Sequence, residues 1–85
     1  MSSLYSGNLN AFKAATDRIS KMDLVVACEE WYESHVSLNC MWLRIEDKEG
    51  KRINSITCSH HDEDVLYSMG TEWLNRMYDQ LKDWK

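Results

Sequence analysis

The chain has 85 residues, 44% of them hydrophobic and 28% charged, with a net charge of −4. These values fit one small globular domain of limited core and exclude a disordered tail or a multidomain enzyme. The excess negative charge is central: residues 23–64 carry ten acids against Arg44, Lys48, Lys51 and Arg52, which disfavours direct nucleic-acid binding there and favours a basic partner surface.

No apolar run approaches the roughly 18 residues that cross a bilayer. The opening "MSSLYSGNLN" lacks the basic start and apolar middle of a secretory signal, so a cytoplasmic protein without membrane attachment is expected. Residues 1–7 are expected to be flexible. In "NLNAFKAATDRISKM", Leu9, Phe12, Ile19 and Met22 recur at helical steps, which predicts a helix over 9–21 with Asn8 or Asn10 as N-cap.

"DLVVACEEWYESH" reads two ways. Ala27, Glu29 and Glu30 suit a helix, whereas Val25, Val26, Trp31 and Tyr32 suit a strand. The strand is preferred, with an extra helix beside a two-stranded hairpin as the alternative.

"LNCMWLRIEDKEGKRINSITCS" contains two β-rich runs around a turn whose Gly50 fits a left-handed position. That turn pairs Asp47 with Lys51, Glu46 with Arg52 and Ile45 with Ile53. Continued without interruption, the register sends Met41, Leu43, Ile45, Ile53, Ser55 and Thr57 to the core. It leaves Cys40, Trp42, Arg44, Glu46, Ile56 and Cys58 on the other face, with Trp42 and Arg44 as a binding patch. The reversed assignment of faces is the alternative.

The tail places Leu66, Met69, Trp73, Met77, Leu81 and Trp84 on one stripe of a long amphipathic helix, flanked by Leu74 and Tyr78. Gly70 inside it implies close approach to another backbone. The expected fold is therefore α+β: a helix, a three-stranded antiparallel sheet and a long C-terminal helix in a single domain over 1–85.

"TCSHHDED" gathers a thiol, two imidazoles and three carboxylates. Ser59 with Asp62 fits a capping box, and Asp62, Glu63 and Asp64 fit a helix's first turn, where the macrodipole favours acids. The uninterrupted register makes Cys40 and Cys58 neighbours with His60 on the same side, so a metal site on Cys40, Cys58 and His60 is the second reading, with His35 as a fourth ligand. A Cys58/His nucleophile is disfavoured by the adjacent acids, and no catalytic or phosphate-loop motif is present. No cofactor is expected.

In order of elements the chain resembles the small Cas9-inhibiting anti-CRISPR proteins of phages: a short first helix, an acidic sheet with a hairpin patterned "WLRIEDKEGKRI", an acid-rich junction and a Trp-containing last helix. The resemblance implies an inhibitor whose carboxylates occupy a site built for nucleic acid. Its residues here would be Glu29, Glu30 and Glu33 on the first strand, Glu46, Asp47 and Glu49 at the hairpin tip, and Asp62, Glu63 and Asp64 at the junction. The implied partner is a larger protein or ribonucleoprotein with a basic surface. Arg44, Lys48, Lys51 and Arg52 depart from a purely acidic hairpin. The competing reading is a ligand-binding homo-oligomer, a homodimer included, with the Trp42 face between subunits.

Overall fold

The computed structural model describes the backbone of residues 2–83 and the side chains of residues 8–83. Elements run α1 (Ser2–Ser20), β1 (Val25–Glu33), β2 (Leu38–Glu46), β3 (Arg52–His60) and α2 (Glu63–Lys82). The sheet is antiparallel in the order β1-β2-β3. Both helices lie on one face of it, giving the two-layer α+β arrangement expected. The ambiguous segment is a strand. Trp84 and Met1 lie outside the described residues, as do the side chains on which flexibility of 1–7 would be judged.

Helix α1 starts earlier than the predicted residue 9, so Asn8 lies inside it and caps nothing. Its side-chain amide instead donates to Asp64 Oδ2 at 2.9 Å and to the Asp64 carbonyl at 3.1 Å, tying α1 to the start of α2. The facing stripes of the two helices meet the sheet through Phe12, Ala15 and Ile19 from α1 and Leu66, Trp73, Leu74, Met77 and Leu81 from α2. Met41, Leu43 and Ile45 of β2, each 0% exposed, complete the core. A Cβ on Gly70 would lie 2.8 Å from Phe12 Cε1 and 3.0 Å from Met41 Cε. The close approach inferred from this glycine is real, but it is made by two side chains and not by a neighbouring backbone.

The hairpin turn forms as read: Asp47 N–H donates to the Lys51 carbonyl at 2.9 Å, Gly50 N–H donates to the Asp47 carbonyl at 3.0 Å, and Gly50 has φ +87°. Glu46 pairs with Arg52, but Ile45 pairs with Asn54 and not with Ile53. This bulge moves the rest of β3 by one residue, and a slip of one exchanges its two faces. Leu43 therefore meets Ile56 and Met41 meets Cys58 on the core side, while Ser55, Thr57 and Ser59 share the outer face with Arg44, Trp42 and Cys40. The uninterrupted register would have buried two hydroxyls and exposed an isoleucine. The bulge removes that mismatch at the expense of one ladder pair.

Candidate functional site

Because the helices cover one face only, the outer face of the sheet and the edge strand β1 remain open. On the outer face, the Arg44 guanidinium lies 4.2 Å from the Trp42 ring centroid, with that of Arg52 at 5.7 Å on the same ring. Arg44 Nη1 donates to Glu29 Oε2 at 3.2 Å. Its Nε is 3.3 Å from Glu46 Oε2, an ion pair by distance that lacks hydrogen-bond alignment. Trp42, Arg44, Glu29 and Glu46 thus form a cation–π and charge cluster in which the Arg44 Nε–H lacks a hydrogen bond.

Among the described residues, strand β1 has a neighbour on one side only, since β2 alone pairs with it. Its register fixes which side chains face where. Val26, Cys28, Glu30 and Tyr32 lie opposite Ile45, Leu43, Met41 and Asn39 on the helix side, and Val25, Ala27, Glu29, Trp31 and Glu33 look outward. Trp31 is 42% exposed, Tyr32 58% and, in the following turn, Val36 46%. The two adjacent aromatics fall on opposite faces of an edge strand, so a single helical layer leaves both accessible. The dipeptide Trp31–Tyr32 carries the aromatics in the sequence, but their accessibility follows from the strand order.

The predicted carboxylates do not form one patch. Asp47 Oδ1 accepts from the backbone N–H groups of Glu49 and Lys51, each at 2.9 Å, which closes the hairpin turn. Asp62 is the N-cap of α2, its Oδ1 accepting from Asp64 N–H at 3.0 Å; Ser59 is still in β3, so no capping box forms. Asp64 is engaged by Asn8. Glu46 pairs with Val25 at the start of β1, and Glu49 lies beyond it in the hairpin turn, both away from the end of β1. At the other end are Glu30 and Glu63 on the helix side, with Glu33 on the outer face. Glu30 Oε1 accepts from the Tyr67 hydroxyl at 3.1 Å and Glu33 Oε2 from the Trp31 indole N–H at 2.9 Å. Among the described residues, the Glu63 carboxylate takes no hydrogen bond or ion pair. A groove of about 220 Å³ runs between Glu30, Tyr32, Glu63 and Leu66.

Two groups answer to this charge. Partial burial first, and the Glu30 carboxylate second, push the Tyr67 hydroxyl up to about 12. The same two causes in the same order push the Cys28 thiol up to about 11, so it is neutral at physiological pH and a poor nucleophile.

The metal reading fails on geometry. Cys40 is on the outer face, with its sulfur 3.5 Å from Ser59 Oγ, whereas Cys58 is in the core beside Met41. The bulge separates the two thiols that an unbroken register would have made neighbours. His60 Nδ1 accepts from Asp62 N–H at 3.0 Å, and His61 Nδ1 is 2.9 Å from the Ser37 carbonyl, so both imidazoles serve the strand-to-helix junction.

The family described as bacteriophage T7-like, gene 1.2 matches residues 1–85. A protein of Escherichia phage T7 named "Inhibitor of dGTPase" is 56% identical over 85 residues, covering 100% of both chains. The "Gene 1.2 protein" of Enterobacteria phage T3 is 32% identical over 90 residues, covering 100% of this chain and 98% of that one. These full-length matches overturn the anti-CRISPR resemblance, which rested on size, charge and element order, properties that unrelated small acidic domains share. With one helix, a bulged three-stranded sheet, an open acidic edge and a capped second helix, the chain belongs to the T7-like gene 1.2 family of bacteriophages.

Proposed function

We propose that this phage protein is a non-enzymatic inhibitor of a host dGTPase, acting by direct protein–protein contact in the host cytoplasm. The observation that carries the reading is the 56% identity, end to end, with a protein named as an inhibitor of that enzyme. The geometry supports it: the chain offers an accessible aromatic pair, Trp31 and Tyr32, flanked by Glu30, Glu33 and Glu63. Aromatic anchors rimmed by charge are what interfaces use to combine affinity with orientation.

An enzyme that hydrolyses dGTP must attract a triphosphate, and the basic surface that does so is also a target for carboxylates. Glu30, Glu33 and Glu63 are the acids placed to meet such a surface, with Glu29, Trp42 and Arg44 next to them on the outer face. Asp47, Asp62 and Asp64 act within the fold. The ribonucleoprotein partner belonged to the displaced resemblance; the partner here is a protein.

Titrating host dGTPase with the purified chain tests this. dGTP hydrolysis should fall in proportion to added chain until the two are equimolar in binding sites, and the chain alone should hydrolyse nothing. Undiminished hydrolysis at excess chain would refute the reading.

A further inference from the structure

Strand β1 is an edge strand nine residues long, without proline, lysine or bulge. Of the devices by which proteins blunt an edge against pairing it carries one, charge, in Glu29, Glu30 and Glu33. Its outer side presents a row of unsatisfied backbone groups. Two grooves run beneath it on the helix side. One, of about 340 Å³, has Phe12, Lys13, Thr16, Asp17, Val26 and Cys28 in its lining. The other is the groove of about 220 Å³ at Glu30, Tyr32, Glu63 and Leu66. Val26, Cys28, Glu30 and Tyr32 are the successive helix-side residues of β1, so the grooves lie along the edge in strand order.

We infer that β1 receives an extended segment of the dGTPase as a fourth strand, an inference that rests on the inhibitor reading above. Such a strand satisfies the open edge, and its alternate side chains drop into the two grooves. The groove at Phe12 and Val26 takes an apolar side chain. The groove at Glu30 and Glu63 takes a lysine or arginine, whose charge meets the Glu63 carboxylate and that of Glu30, already contacted by the Tyr67 hydroxyl and, at 4.0 Å, the Cys28 thiol. The two positions are about four residues apart on the incoming segment, or roughly 13 Å at strand rise.

Charge selects the occupant. A second copy of this chain pairing antiparallel through β1 in the register that joins the strands along their full length would set Glu29 against Glu29 of the copy. Like charges directly opposite are destabilising. A basic segment of the enzyme reverses that sign.

Amide hydrogen exchange of the whole chain, alone and in complex with intact dGTPase, tests the inference, with inhibition measured in the same samples. With inhibition present, the β1 amides that do not bond to β2 should slow at least about tenfold on binding. Inhibition with exchange across residues 26–32 unchanged would overturn the added strand while leaving the inhibitor reading in place. Slowing that appears in the chain alone as its concentration is raised would assign the edge to a second copy and overturn it too. Absence of inhibition would remove the functional reading and this inference with it.

Discussion

The Tyr67 hydroxyl donates to Glu30 Oε1 at 3.1 Å across the gap between α2 and β1, and so fixes one carboxylate of the acidic edge against the helical layer. Tyr67→Phe should cost about 1 kcal/mol of stability at neutral pH, the worth of one partly exposed bond to a charged acceptor. The hydroxyl's folded pKa is raised from 10.0 to about 12, so its contribution is complete below pH 10 and is lost as pH rises through 12. Urea titrations at pH 8 and pH 11 should show the gap between wild type and variant narrowing at the higher pH.

Gly70 lies 2.8 Å, measured from where its Cβ would stand, from Phe12 Cε1. Gly70→Ala gains about 1 kcal/mol of helix propensity but forces a core ring to move, which costs about 1–3 kcal/mol. The net change is expected to be destabilising and to show as a lower Tm. Adding Phe12→Leu should recover part of the loss, because the smaller side chain yields the space, and thermal melts of the single and double variants check this.

The register of β3 is tested on Thr57, which the bulge places opposite Trp42 on the outer face. Thr57→Lys should change stability by no more than about 0.5 kcal/mol, as an exposed substitution does. A loss of several kcal/mol would return Thr57 to the core and restore the unbroken hairpin. Trp42→Ala should likewise stay folded, losing about 1 kcal/mol with its arginine stacking.

Cys28 is exposed while Cys40 and Cys58 are buried. In the native chain it alone should react with iodoacetamide, slowly at pH 7.5, with a rate that climbs as pH approaches about 11. Mass spectrometry should find a single modified thiol, and bound dGTPase should protect it.

The elements were legible because their signals are local. Helical spacing in "NLNAFKAATDRISKM" and "DVLYSMGTEWLNRMYDQLKDWK", and the Asp47–Gly50 turn, are set by neighbours in sequence. The bulge at Ile45/Glu46 is not local. It is chosen by which residues of β3 can be buried beneath two helices, and Ile56 and Cys58 win that competition over Ser55 and Thr57. The expected pairing of Cys40 with Cys58 fails with the unbroken register, whereas Trp42 and Arg44, on β2, keep the outer face expected for them. The capping role of Asp62 and the first-turn place of Glu63 and Asp64 are local and legible, whereas the bond from Asn8 to Asp64 spans 56 residues and is not. The open edge at β1 is a property of strand order, and only the assembled sheet shows that Trp31 and Tyr32 stay accessible.

The most direct measurement is inhibition of host dGTPase by wild type beside a Glu33→Lys, Glu63→Lys double variant, with circular dichroism and thermal melts confirming the fold. Both carboxylates lie at the open end of β1, and neither caps a helix or closes a turn. Wild type should abolish dGTP hydrolysis stoichiometrically, and the double variant should need at least about thirtyfold more protein, equivalent to losing roughly 2 kcal/mol at a charged contact. A folded variant that inhibits as well as wild type would contradict the account.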